Sequence, residues 1–485
     1  MTGHLDQQTG KLSWPLVGPF PGSTVTDGVA MSQPAARTWI KNPLGIFTGT
    51  DADAAGGIVL EGAVVSELVP AGGAPTAPVD SVFDAARHVV IPGLINTHHH
   101  FYQTLTRAWR PVVSAELFPW LKGLYGVWAG ITPRDLELAT TVALAELLLS
   151  GCTTAADHHY LFPNGLEEGI DVQVDVVRKL GMRATLTRGS MSLGEDDGGL
   201  PPQRTVQDAD TILADSERLI GAYHERGDGA FVQIGLAPCS PFSVTTGVMR
   251  DTAALADRLD VRLHTHLAET LDEEDFCREM FGLRTVDYLE RVGWLSDRTW
   301  LAHGIHFDDA EIARLGAAGT AVSHCATSNM RLASGIARAL ELEEAGAPVG
   351  LGVDGSASND GSNMIQEVRQ ALYLQRLRYG AAAITPERAL GWATSGSARA
   401  LGRGDIGVLA PGAQADLAMF TLDELRFSGS HDPVAALLLC GADRADRVMV
   451  AGRWRVIDGR IDGLDVPRLI AHHSEAARGL LARHS

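Results

Sequence analysis

From residue 93 to about 400 the chain repeats one pattern: a short apolar run closed by a polar cluster, then a longer stretch with apolar positions at helical spacing. Eight such runs occur: VVIPGLINTHHH, CTTAADHH, RATLTRGS, FVQIGLAPCS, VRLHTHLAE, TWLAHGIH, GTAVSHCATSN and PVGLGVDGS. Between them, segments such as ITPRDLELATTVALAELLLSG and FSVTTGVMRDTAALADRLD predict helices, with starts at Thr132-Pro133 and at Thr245-Thr246. Strand then helix, eight times over about 300 residues, predicts a (β/α)8 barrel spanning 93–400. Residues 37–92 read instead as short β segments (TWIKN, GIFTG, GGIVLEGAVVSELVP, RHVVIPG), and 401–462 return to strands in IGVLAPGAQADLAMFT and RVMVAGRWRVIDG. The joint reading is an α/β chain in which a small β-sandwich lobe, built from both flanks, sits beside the barrel, with a closing helix over 463–485. Residues 1–36 are rich in Gly, Pro, Ser and Thr without periodicity and contain Met31, so they read as an extension outside the fold.

Composition narrows the function classes. Of 485 residues, 45% are hydrophobic and 20% charged, enough to bury a large core. The formal charge of −19 repels phosphate backbones, so a nucleic-acid partner is not expected. The opening MTGHLDQQTGKLSW lacks a basic cluster followed by an apolar run, so no signal peptide is expected. The most apolar stretch, Leu138 to Ala156, contains Glu146 and ends in polar residues, which argues against a membrane span. Five cysteines (Cys152, Cys239, Cys277, Cys325, Cys440) lie far apart with no C-x-x-C pair, which argues against a disulfide framework and fits a reducing cytoplasm. A homo-oligomer acting on a small molecule is the base-rate expectation.

The chemistry gathers at the predicted strand ends, where a barrel carries its active site. The first run ends in His98-His99-His100, and strand alternation puts His98 and His100 on one side with His99 turned away. The fifth ends in His264-Thr265-His266 followed by Glu269, the sixth in His303 and the eighth in Asp354. Three imidazoles and a carboxylate suit zinc or iron(II), with His264 and His266 alternatives for one ligand position. His306 and His324 read as supporting residues, and His158-His159 beside Asp157 as candidates to line the site. Gly350 to Gly355 formally matches G-x-G-x-x-G, but no acid follows at the ribose position and no new βαβ unit begins there.

In combination these motifs resemble the amidohydrolase superfamily, in its deaminase and chlorohydrolase branch: PGLINTHHHFYQTLTRA, HTHLAET, WLAHG, GVDGSASND and GDIGVLAPGAQADLAMF carry the likeness over about residues 38–460. The resemblance implies one metal, zinc or iron(II), held by His98, His100, His266 and Asp354. It further implies Glu269 as proton shuttle and His303 as the group that orients water. No lysine falls at the fourth or fifth strand end, where binuclear relatives carry a bridging carbamate. Within the branch, HHHFYQTLTRA, TTAADHHYLFP, TRGSMSLGEDDGGLPP and HCATSNMRL look most like 8-oxoguanine deaminases, with isocytosine, guanine and hydroxytriazine enzymes as neighbours. Adenosine-type relatives usually carry histidine where this chain has Cys239, which favours a free base over a nucleoside.

The expected reaction is therefore hydrolytic removal of a ring amine, such as 8-oxoguanine to urate and ammonia. A triazine-type chloro- or aminohydrolase is the alternative. For the substrate edge, Gln103 offers a two-way amide; Tyr102, Trp109 and Tyr160 are candidates to stack on a planar base; Arg188 is a candidate partner for a ring carbonyl.

Overall fold

The computed structural model describes residues 36–484 and two short strands, His4–Leu5 and Leu12–Ser13. The expectation for 1–36 otherwise lies outside the described residues. All eight runs form parallel strands of one closed barrel: β1 (Leu94–Asn96), β2 (Cys152–His159), β3 (Arg183–Ser190), β4 (Val232–Pro238), β5 (Leu263–Leu267), β6 (Thr299–His303), β7 (Ala321–His324) and β8 (Val349–Leu351), which returns to β1. Every residue of β2, β3, β5, β6, β7 and β8 is buried. A parallel strand covered on both faces has no solvent side to alternate toward, so it reads as a continuous run of apolar and small residues.

Between β1 and β2 the chain forms two α-helices, α1 (Leu117–Trp128) and α2 (Pro133–Leu149). The predicted helix starts are present. Thr132 caps α2 in a reciprocal pair with Asp135, with Pro133 in the first turn, and Thr245 caps the helix Thr246–Leu259. The apolar stretch 138–156 is divided between α2 and β2, and among the described residues no helix is long and apolar enough to cross a membrane.

Two more sheets lie beside the barrel. A six-stranded sheet joins strands 45–46 and 88–92 to 417–421, 447–450, 453–457 and 460–461, so segments from both flanks of the barrel share it. A four-stranded sheet is made from 37–41, 57–61, 64–69 and 81–84. The run VVIPGLINTHHH thus supplies two strands, one ending at Pro92 in the lobe sheet and β1 in the barrel. The joint is Gly93, where a Cβ would lie 2.1 Å from Thr153 Oγ1. The sequence pattern does not predict strand Ser81–Asp84, which is short, largely exposed and framed by loop residues.

The lobe is bound to the barrel by a buried ion pair. Arg183, fully buried on β3, donates through Nε to Asp416 Oδ2 at 2.7 Å and through NH2 to Gln414 Oε1 at 2.9 Å. Asp416 also accepts from Ala451 N at 2.7 Å, and its backbone oxygen accepts from Gly93 N at 3.0 Å. Removing one partner of such a pair strands the other charge without water. Arg183→Met is expected to lower stability by about 3–5 kcal/mol, read as a drop in the urea midpoint, and Asp416→Asn in the same chain should recover part of the loss.

Candidate metal centre and active-site cavity

The histidines at the barrel mouth are organised by where each Nδ1 sends its proton. His100 Nδ1 lies 2.7 Å from the carbonyl of His158, and His266 Nδ1 lies 2.7 Å from the carbonyl of Cys239. A carbonyl only accepts, so both rings carry their proton on Nδ1 and present Nε2 as a bare lone pair. His98 reaches the same state by one more step. His264 Nδ1 donates to Trp300 O at 2.7 Å, so its Nε2 accepts from His98 Nδ1 at 2.8 Å. That resolves the pair on β5: His264 orients His98, and His266 faces the centre.

The three Nε2 atoms then meet. Those of His100 and His266 are 3.2 Å apart, and that of His98 is buried without a hydrogen-bond partner. Burial holds all three imidazoles below their ordinary pKa. Asp354 Oδ1 sits 3.3 Å from His98 Nε2 and 3.4 Å from His100 Nε2, while Oδ2 accepts from Ser328 at 2.6 Å and Ser358 at 2.9 Å. Converging lone pairs with a carboxylate beside them repel unless a cation lies between them, so these residues fit a divalent metal with nitrogen and oxygen ligands. His158 joins the cluster, stacked on His266 with centroids 4.7 Å apart; its Nε2 is spent on Ala237 O at 2.9 Å, which leaves its Nδ1 a buried lone pair without a partner. His99 turns away to Ser362, at 2.9 Å.

Glu269 and His303 face each other across the centre, Oε2 to Nε2 at 3.4 Å. Burial pushes Glu269 up to about 7. Burial pulls His303 down, but the Glu269 and Asp354 carboxylates outweigh it and leave it above its ordinary value. His303 and Asp354 both have left-handed backbones, with φ of 71° and 63°, a strain that recurs where side chains are held for chemistry.

Beside the centre lies a small cavity. His100, His266, Glu269, His303 and Asp354 form its polar end; Gln103, Tyr160 and Cys239 line it next to them. The Gln103 amide occupies space beside Gly355, where a Cβ would lie 1.9 Å from its oxygen, and it accepts from Ala357 N at 3.3 Å.

Three candidate substrate contacts do not line this cavity. Arg188 is paired in register with His159, on the strand face opposite to His158, so it points out of the barrel. There it bonds Asp215 and Gln207, each at 2.9 Å, over the Phe162 ring. Trp109 is half-buried in the loop before α1 and does not line the cavity. Tyr102 is fully buried behind it, edge-on to Trp128 and Tyr160. The apolar wall comes instead from Leu117, Trp120, Leu121 and Tyr125 on α1, with Phe242 and Leu332 opposite. Their spacing along α1, at i, i+3, i+4 and i+8, was a legible helical face, but which cavity that face would meet was not.

Comparison with known proteins agrees with this architecture. The amidohydrolase family matches residues 89–455. The chain is 74% identical over 447 residues to an 8-oxoguanine deaminase of Pseudomonas aeruginosa, covering 92% of this chain and all of that one. It is 36% identical to a hydroxydechloroatrazine ethylaminohydrolase of Pseudomonas sp. strain ADP, covering 81% of this chain and 82% of that one. Among solved structures, the zinc complex of the atrazine chlorohydrolase TrzN from Arthrobacter aurescens TC1 superposes with a TM-score of 0.84 at 32% identity, over 91% of this chain and 100% of that one. The donor cluster at the barrel mouth is thus carried on a shared fold and a shared sequence, and the chain belongs to the amidohydrolase family.

Proposed function

We propose that the protein hydrolyses the exocyclic amine from a free purine base, converting 8-oxoguanine to urate and ammonia. The observation that carries this reading is the 74% identity to an 8-oxoguanine deaminase along that protein's whole length. The cavity is consistent with it: Trp120, Tyr160 and Phe242 offer flat apolar walls to a planar ring, and Gln103 supplies an amide for its edge. The division into a lobe (37–92 and 401–462), a barrel (93–400) and a closing helix, and a cytoplasmic location for a chain with five free cysteines, are part of the same proposal.

His98, His100, His266 and Asp354 would hold the metal, one zinc ion per chain, with iron(II) accepting the same ligands. When bound, the metal lowers the pKa of water to about 7, so that a nucleophile is available near neutrality. The chain's own groups do the rest. His303 and Asp354 take up the proton of the attacking water. Glu269, which burial raises to about 7 so that a share of it is protonated near neutral pH, gives its proton to the ring nitrogen next to the amine-bearing carbon. As the new C–O bond forms, charge does not accumulate on the ring. Glu269 or Asp354 then relays a proton to the amine, the C–N bond breaks, and ammonia leaves as the ring carbonyl forms. Cys239, small and neutral beside His266, leaves room for a base edge where a histidine would crowd it.

Glu269→Gln should reduce turnover of 8-oxoguanine by about a thousandfold, the range for loss of a general acid. Ammonia release by the zinc-loaded chain from 8-oxoguanine, isocytosine and guanine checks both reaction and substrate. Silence on all three with metal bound would overturn the deaminase reading. The pH profile gives a second check. Raising pH through about 7 converts Glu269 from acid to carboxylate, so kcat/KM should fall above that pH, and the alkaline limb should be missing in Glu269→Gln. Dialysis against a chelator should abolish ammonia release, and return of zinc or iron(II) in separate samples should restore it and identify the better metal.

A further inference from the structure

The motif HCATSNMRL has no role in the reaction as described, yet its residues touch His303 and Asp354, and Ser334 just beyond it touches Glu269. It follows β7 and includes a short helix, α3 (Ala326–Arg331). Ser328 donates to Asp354 Oδ2 at 2.6 Å, and Asn329 Oδ1 lies 2.9 Å from His303 Nδ1. Three residues past α3, Ser334 faces Glu269 Oε1 at 3.5 Å, and Leu332 between them lines the cavity. Ser328 and Asn329 are fully buried. We propose that this loop is a single positioning segment, in which Asn329 fixes the proton of His303 on Nδ1 and Ser328 fixes which oxygen of Asp354 faces the metal position.

Hydrogen-bond polarity decides both assignments. An amide oxygen accepts and cannot donate, so His303 must place its proton on Nδ1 to satisfy Asn329. Its Nε2 is then left as the acceptor facing Glu269 and the cavity, the state needed to take a proton from water. Without Asn329 the ring can place its proton on Nε2, where it opposes that step. Ser328 does the corresponding work on Asp354. A hydroxyl proton on Oδ2, reinforced by Ser358, leaves Oδ1 as the oxygen turned to His98 and His100. Because Ser328 and Asn329 are consecutive in a helical turn, the orientation of one carries the other.

The segment is itself anchored. Thr327 N donates to Glu367 Oε1 at 2.9 Å, and Glu367 is buried on the helix α4 (Met364–Tyr379). Asn359, in the loop after β8, donates to the other oxygen of Glu367 at 3.2 Å. Farther on, His306 Nε2 holds Ser334 O at 3.0 Å. Glu367 therefore joins the loops that carry Ser328 and Asp354, so the two ends of the Ser328–Asp354 bond are set by one buried group.

The inference rests on the reaction proposed above, and its test has one arm that uses no substrate. In the full-length, zinc-loaded chain, Asn329→Ala should lower kcat about a hundredfold with KM for 8-oxoguanine changed by less than about threefold. Asn329→Asp, which keeps the accepting oxygen, should recover at least about tenfold of that loss, which a merely structural role would not predict. Ser328→Ala should weaken zinc about tenfold in competition with a chelator, without substrate present, while the melting temperature of the zinc-free chain stays the same. Unchanged kcat in Asn329→Ala, no recovery in Asn329→Asp, or unchanged zinc affinity in Ser328→Ala would each overturn the assignment. Ser328→Ala removes a single oxygen and carries the test if Asn329→Ala does not fold.

Discussion

Three imidazoles can bring their unprotonated nitrogens together only if each has given its one proton to something that cannot return it. Here the acceptors are backbone carbonyls: His158 O for His100, Cys239 O for His266 and, through His264, Trp300 O for His98. Those carbonyls belong to β2, the end of β4, and β6, each beside the strand whose histidine it serves. The protonation state of the centre is thus set by strand register. A slip of one residue would turn each carbonyl away and replace a lone pair with a proton. The closed barrel is therefore a condition of the chemistry as well as its support.

The same dependence extends to the lobe. His98 and His100 lie just past β1, which is only three residues long and begins one residue after a strand of the lobe sheet. That strand is held by five register pairs to 417–421, and the turn at Gly93 is held by the backbone oxygen of Asp416. Asp416 in turn meets Arg183 of β3, with Gln414 and two backbone carbonyls completing the guanidinium. A buried pair with its hydrogen bonds filled contributes little net stability, but it tolerates only one arrangement. The lobe thereby fixes where the first two histidines begin.

Which of these features can be read from sequence depends on what local composition encodes. The eight strands were legible because a strand buried on both faces must be apolar or small, so polar residues at its end stand out. The exposed strand Ser81–Asp84 offers no such contrast. Arg188 was misplaced because Thr187 and Arg188 both lie near the end of β3, and only the register with His158 and His159 decides which faces inward. His264 and His266 share one parity, and the choice between them lies in the carbonyl of Trp300, a residue thirty-six positions after His264. Trp120 lines the cavity and Trp109 does not, because the loop path into α1 is a tertiary matter. What failed was each residue's partner, since partners come from distant segments.

The cavity also selects by what it omits. Among the described residues no lysine or arginine lines it, and the nearest expected cation, Arg188, is turned outward and paired with Asp215. Its polar end holds two carboxylates, in a chain that already carries −19. No cationic side chain among these lining residues is there to pair a phosphate. On the proposed reading, a neutral planar base would find apolar faces in Trp120, Tyr160 and Phe242 and an amide edge in Gln103. Burial also raises Glu269 to about 7, the range the proposed reading needs for lending a proton near neutral pH. On the proposed reading, the lining that offers a phosphate no cationic side chain is the same buried lining that raises Glu269.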